Sequence, residues 1–556
     1  MAIHHTPGVN MRPQQNALQV TVMPAPTRGV DARAPTGNMP SDVCIYTYNL
    51  MPAEYGMLLR SGYREWCLGS DMDLGNSTGS HTLMPFTGVL PGGQDDRLFS
   101  VTNEAIWDVS NYDAPVNKFT FTTDGLGSGH GVFAHYIDQG GDDFLYYADG
   151  LNGLHIYKGL SAAVDPDTWA AATGIVGPLL PTVVFVMVHK QRMWLVEEGK
   201  SSAWYLPINS GQGDATEFFF GGKFPHGGRV YAMYNWSIDG GKGIDDLLVV
   251  VSSSGDVIVY EGDDPSSADT WKIRGTYYIG DLPVGRRVGS EYSGDLYLLS
   301  SFGLISMSDL IRGVDTQNPA EHSLSFRVAK PLRDQIRQKK TLYGWEPIFL
   351  PAIGQLMVLI PQANSESWVQ YCLTLATEGW GFWRGVPMTC VGDWAAIIFF
   401  GSGNGSVYAM DTSRDNVLIT PPPEPELNGQ PIDFSLLSSY QNLGSPGLFK
   451  RVQMVRPDFY GNSAPAYTIK VLYDYDFQEP DAVVQGDEEA AGNDQWDGAL
   501  WDLAVWSTIA GQSFGSLQLA GVAGIGRSVA IAMRGSSGDA LRLITWDIMW
   551  QVGGPI

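Results

Sequence analysis

The chain has 556 residues, 44% of them hydrophobic, 12% aromatic and only 17% charged, where about 25% charged is usual. That much apolar material can fill a large core and excludes a chain disordered as a whole. The 34 Lys and Arg against 59 Asp and Glu leave a net charge of −25, which argues against a protein that grips nucleic-acid phosphates.

Residues 1–40 hold six prolines, Pro7, Pro13, Pro24, Pro26, Pro35 and Pro40. Proline fixes φ and removes a backbone donor, so this stretch reads as an extended arm, either a free tail or one ordered by a partner. Residues 17–23 are interrupted by Gln19 and Thr21, and no basic region leads a long apolar stretch, so no secretory signal is expected. The longest apolar runs, 183–188 and 395–400, fall far short of the ~20 residues of a membrane helix. Cys44, Cys67, Cys372 and Cys390 have no C-x-x-C spacing and no clustered histidines. They read as buried, inert thiols.

From about 90 to 415 one theme recurs: a short apolar strand, a Gly or Ser turn, then a second strand carrying Tyr, Trp or Met. The first strands begin near Leu98, Phe144, Met193, Leu247, Leu296, Leu356 and Ala396, at intervals of 46, 49, 54, 49, 60 and 40 residues. The second strands include 106–109, 154–157, 204–206, 257–260, 304–307, 371–373 and 407–410. Two units match in detail, Tyr157-Lys-Gly159 with Asp167-Thr-Trp169, and Tyr260-Glu-Gly262 with Asp269-Thr-Trp271. A repeat of about 40–50 residues with several strands per unit predicts propeller blades, small sheets that bury their faces only by stacking radially.

Residues 331–340, Pro-Leu-Arg-Asp-Gln-Ile-Arg-Gln-Lys-Lys, lack strand alternation and predict a short basic helix with Pro near its start. Residues 421–429 begin Pro-Pro-Pro-Glu-Pro-Glu and read as a stiff linker. Beyond it, strands are expected at 452–455, 466–473, 528–533 and 541–552, the length of a β-sandwich. Residues 472–504 hold ten acidic residues and no basic one, and Trp496, Trp501 and Trp506 follow at five-residue spacing. Three such rings are not the pattern of a solvated tail. The expected architecture is therefore all-β: an extended arm over 1–40, a propeller of about six to eight blades over 41–420, and a sandwich-like domain over 430–556.

Motifs for chemistry are weak. Gly511-Gln-Ser513-Phe-Gly515 matches G-x-S-x-G, but the residues after it alternate like a strand, whereas the motif needs strand, turn and helix. Asp71-Met-Asp73-Leu-Gly75 lacks the Gly position and closing Glu of a calcium loop, and Asp474 with Asp476 reads as a surface pair. Gly241-Lys242-Gly243 lacks the Ser/Thr of a phosphate loop, and 125–131 is Gly-rich without a strand–helix unit. No catalytic, cofactor or metal residues are assigned, and no enzyme activity is expected.

Several stretches resemble the tail nozzle proteins (tail tubular protein B, or tail accessory proteins) of short-tailed bacteriophages. One is Asn49-Leu-Met-Pro-Ala-Glu-Tyr-Gly56 running to Arg60-Ser-Gly62-Tyr63-Arg64. Another is Tyr260-Glu-Gly262-Asp-Asp-Pro265, then Trp271, then 278–287 (Tyr-Ile-Gly-Asp-Leu-Pro-Val-Gly-Arg-Arg) and 294–305. The third is Trp496-Asp-Gly-Ala-Leu-Trp501-Asp, followed by a Gly-rich closing region. The resemblance implies a structural virion protein made in the bacterial host cytoplasm. It would form a homohexameric ring docked on the portal and tail adaptor, with tailspikes or fibres attached, and DNA would pass through it during ejection without sequence-specific binding. It supplies no catalytic residues.

A closed ring needs heterologous interfaces. The basic residues Arg327, Lys330, Arg333, Arg337, Lys339 and Lys340, and the acidic segment with Trp496, Trp501 and Trp506, are the candidate halves of a subunit or adaptor contact. A solvated face is the plain alternative for the basic run. The rival functions are a propeller-type glycan-binding or glycan-cleaving receptor-binding tail protein, and a bacterial propeller scaffold unrelated to phage.

Overall fold

The computed structural model describes residues 18–33, 37, 39–72, 79–123, 125, 127–162, 164–239, 244–312, 323–362, 368–418, 429–480, 512–515, 520–521 and 524–555. Two compact units divide them. One comprises Val30–Arg33 and Arg60–Ile432; the other comprises residues up to Gly29, Ala34–Leu59 and everything from Asp433 onward.

The larger unit is a seven-bladed β-propeller. Its first blade shows the plan, four antiparallel strands in sequence order: Ser80–Phe86, Arg97–Thr102, Ala105–Asp108 and Val116–Thr120. Later blades open at Val132, Val183, Val230, Gly289, Glu346 and Cys390. Among the described residues the fifth has three strands, Gly289–Tyr292, Asp295–Ser300 and Gly303–Ser306. First strands of most successive blades lie against one another, so they are innermost around the axis.

The apolar clusters sit between blades, as radial stacking requires. Phe86, Phe99 and Ile106 of the first blade meet Leu145, Tyr147, Tyr157 and Trp169 of the second. Trp194 and Phe220 of the third meet Val250, Tyr260 and Trp271 of the fourth. The two matching sequence units are these same joints: Tyr157 lies opposite Trp169 across strands, and the Tyr260 and Trp271 rings stack with centroids 5.4 Å apart. Fully burying each such ring contributes roughly 1.5–3 kcal/mol. All four cysteines are buried and free.

Closure comes from far away in sequence. Gly62–Cys67 pairs antiparallel with Val407–Thr412 and supplies the outermost strand of the seventh blade. Arg60 holds Asp415 through both guanidinium nitrogens, at 2.7 and 2.5 Å, and Arg64 holds Asp411 at 2.8 Å. The Tyr63 N–H donates to the Arg414 carbonyl at 3.0 Å. Gly62 is required by proximity, because a Cβ there would lie 2.1 Å from that same carbonyl oxygen. The Arg-Ser-Gly-Tyr-Arg stretch at 60–64 is thus the clasp of the propeller.

The smaller unit is a β-sandwich. One sheet carries the long strands Leu448–Gly461 and Leu541–Pro555, with the hairpin Leu50–Ala53 and Gly56–Leu59 beside Leu541–Pro555. The second runs Cys44–Tyr48, Ile432–Ser438, Val529–Ser537 and Ala466–Tyr473. Phe434 and Phe459 meet between the sheets, and Phe459 also packs against Tyr467 at 5.5 Å. Lys450 is fully buried. Its ammonium donates to the Ser445, Leu448 and Arg527 carbonyls at 2.5, 3.0 and 2.7 Å, and burial lowers its pKa.

Three expectations change. Within the supposed arm, Gln19–Pro24 is a strand paired with Leu541–Pro555. Its prolines fall at or beyond the strand end, where a missing N–H does no harm, and Met23 is buried. Cys44–Leu59, expected within the propeller, belongs to the sandwich unit, which is therefore built from both ends of the chain. The basic helix, α1 here, spans Ala329–Lys339 and puts Pro331 at its third position. That position still precedes any need for an intrahelical donor. A short unpredicted helix, Met307–Ile311, is capped by the Ser306 hydroxyl, which accepts from the Asp309 N–H at 3.1 Å. The expected linker at 421–426 lies outside the described residues.

Candidate functional site

α1 forms because Ala329, Leu332 and Ile336 repeat at helical spacing, and all three are buried. Lys330, Arg333 and Arg337 occupy the adjoining stripe. Lys330, Arg337 and Lys340 are exposed, while Arg327, Arg333 and Lys339 are half-buried. Arg333 Nε donates to the Ala329 carbonyl at 3.2 Å, and Lys339 Nζ donates to Gln362 Oε1. Lys340 pairs with Asp281 at 3.6 Å, both exposed, an interaction worth at most about 1 kcal/mol. Arg337 and Lys339 lie in the last turn, where cations complement the helix dipole. The six basic residues are therefore brought together, and Arg333, Lys339 and Lys340 hold partners within the chain. Trp496, Trp501 and Trp506 lie outside the described residues.

The C-terminus of α1 leads to a site that sequence reading missed. The Val284 N–H donates to the Lys340 carbonyl at 2.9 Å, tying the helix end to the 278–287 segment. That segment delivers Arg287 across the propeller axis. Arg287, only 8% exposed, donates through Nη2 to the His81 carbonyl at 3.0 Å and pairs with Glu346 at 3.2 Å. His81 stacks on His130, centroids 4.1 Å apart, and His130 packs on Tyr343 at 5.5 Å. His81 and Glu346 lie in the first strands of blades one and six, and His130, Arg287 and Tyr343 lie just ahead of those of blades two, five and six, so the axis is bridged. Burial lowers His81 to about 4 and holds His130 well below the usual range, so both imidazoles are neutral at pH 7. Burial likewise raises Glu346, against the opposing pull of Arg287. The cluster escaped the sequence because its members stand at 81, 130, 287, 343 and 346; the neighbouring arginines at 286 and 287 were the one available signal.

The weak motifs have structural roles. Ser513 lies in the strand Gln512–Gly515, opposite Tyr460. Asp474 Oδ1 accepts from the Arg527 and Ser528 N–H groups at 2.8 and 3.0 Å. Residues 125–131 link the first two blades, with Ser128 Oγ donating to the Asn103 carbonyl at 2.6 Å. Asp73, Gly75 and 241–243 lie outside the described residues. Among the described residues no three His, Cys, Asp or Glu side chains group to hold a metal, and no helix is long and apolar enough to cross a membrane.

No protein-family model matches the chain, and no curated protein matches it. Among solved structures it is similar to BBS1N in complex with ARL6DN, soaked with mercury: 8% identity and TM-score 0.33, over 64% of this chain and 98% of that one. A nidogen/laminin complex matches at 12% identity and TM-score 0.26, over 42% of this chain and 76% of that one. Likenesses this weak bear on no function; the propeller rests on the order and pairing of its own blade strands.

Proposed function

We propose that this chain is a structural protein of a short-tailed phage virion, a subunit of the tail nozzle. Six copies would form a ring on the tail adaptor, carry tailspikes or fibres, and leave a central lumen for DNA. The observation that carries this reading is where the family-like segments fall. Residues 60–64 clasp the propeller shut, and 278–287 bridge its axis. The likeness is therefore to the parts on which the architecture depends.

The bridged axis adds a geometric argument. A duplex does not pass through a propeller whose centre is crossed by Arg287, so a conduit must run between subunits. A net charge of −25 suits a conduit, because each phosphate neutralised by a cation adds salt-dependent affinity and hence friction. In this reading the chain is not an enzyme, takes no cofactor and works in the virion.

Native mass spectrometry and electron microscopy of the full chain test this. A six-membered ring with an open centre is expected, alone or with the tail adaptor protein. A strict monomer under both conditions removes the reading. A second reading, a propeller-type glycan-binding or glycan-cleaving receptor-binding protein, is favoured by one feature, a cavity at one mouth of the axis.

A further inference from the structure

That cavity has a volume of about 230 Å³ and is lined by His130 and Tyr343 from the cluster and by Glu198, Arg229, Tyr231 and Arg286. Such a volume suits one small ring, not a drug-sized ligand or an oligonucleotide.

Its charges are arranged unequally. Glu198 offers one oxygen to Arg229 at 3.1 Å and the other to Arg286. Arg286 is further fixed by the Tyr231 carbonyl at 2.8 Å and lies over the Tyr231 ring. Arg286 is therefore structural, only 12% exposed. Arg229 is 47% exposed. A guanidinium has five N–H donors in a planar fork, so Arg229 keeps donors for a bidentate partner. Two arginines share the one Glu198 carboxylate, so the spare donors of Arg229 suit one further carboxylate.

Asp149 also lines the cavity. Its Oδ1 accepts from the N–H groups of Leu151 and Asn152 at 3.0 and 2.7 Å, and a second acid on the wall disfavours a doubly charged phosphate. Glu198 has lone pairs beyond those its two arginines use and can accept from hydroxyls. The half-buried Tyr343 ring offers a flat apolar face.

From these features we propose that the mouth of the propeller binds a single acidic sugar residue, a uronic or sialic acid. Its carboxylate lies on Arg229, its hydroxyls donate to Glu198 and its ring packs on Tyr343. This goes beyond the nozzle reading and stands or falls without it, since the cavity is complete within one propeller.

The test titrates the full chain with glucuronate, galacturonate and N-acetylneuraminate, followed by ligand-observed NMR, with glucose and inorganic phosphate as controls. At least one acid saturates, while glucose binds at least about tenfold more weakly and phosphate does not displace the acid. Arg229→Gln weakens the acid by about tenfold or more, the value of a charge-assisted bidentate contact, without lowering the melting temperature. The proposal is overturned if none of the three acids saturates, if glucose or phosphate binds as well, or if Arg229→Gln binds like the parent.

Discussion

Arg60 and Asp415 stand 355 positions apart and meet in a bidentate pair whose Arg60 side chain is 1% exposed. Breaking such a pair leaves a desolvated charge without its partner, which costs about 3–5 kcal/mol. Arg60→Ala is therefore expected to lower the urea midpoint, with a loss of about 3 kcal/mol or more. Replacing both partners by Met and Leu costs less, because no charge is stranded. A single variant within about 1 kcal/mol of the parent would show that the pair does not pin the clasp. The stacked imidazoles make a second residue-scale prediction. Burial holds the folded His81 at about 4, below its ordinary 6.5. The unfolded chain therefore takes up the proton first as pH falls. Stability is intact above pH 6.5 and is lost progressively from there down toward pH 4. His81→Phe keeps a ring on His130 and removes this proton uptake. Melting temperatures measured from pH 7 to 4 should fall less steeply in the variant; parallel curves would refute the assignment.

Elements were legible in proportion to their burial. The strands expected near Leu98, Phe144, Met193, Leu247, Leu296, Leu356 and Ala396 are the second strand of each blade, and their partners are the third. These are covered on both faces, as in Asp143–Ala148, where every residue is buried, so they read as continuous apolar runs. Fourth strands such as Lys272–Tyr278 are largely exposed and carry no such signal. First strands face the axis, and Ser80–Phe86 accordingly mixes Ser, His, Thr and Pro with its apolar residues. The closing strand at 62–67 was hidden by distance along the chain. The basic helix was legible because its apolar stripe repeats at three and four. Its exposed charge makes the element-scale prediction: the double variant Arg333→Glu, Arg337→Glu weakens ring or adaptor assembly by native mass spectrometry and leaves the melting temperature near that of the parent. Arg337 carries most of the effect, since Arg333 is half-buried against its own helix. Unchanged assembly removes this helix as an interface.

At the scale of the whole molecule, the sandwich was legible in one part of the chain and hidden in another. A sandwich after residue 430 was visible in the alternation of 466–473 and 541–552. Its dependence on the N-terminal residues was hidden, because prolines at 24 and 26 made Gln19–Pro24 resemble an arm. The chain instead enters the sandwich, leaves it at Leu59 to build an entire propeller, and returns at Asp433. This nesting predicts which fragments fold. A fragment spanning 60–432 contains all seven blades and its own clasp, so it should melt cooperatively. One beginning at residue 68 lacks Gly62–Cys67 and leaves Val407–Thr412 as an open edge, with the burial of Cys67 against Phe399 and Ala409 lost as well. Ring closure is what removes edges in a propeller, so the shorter fragment should melt lower and aggregate. A fragment spanning 433–556 is expected not to fold by itself: Leu541–Pro555 loses Gln19–Pro24 and Gly56–Leu59 from one side, and Ile432–Ser438 loses Cys44–Tyr48. Adding residues 18–59 as a separate peptide should restore a cooperative transition by circular dichroism. A 433–556 fragment that melts cooperatively without that peptide would mean that the N-terminal strands decorate the sandwich and do not complete it.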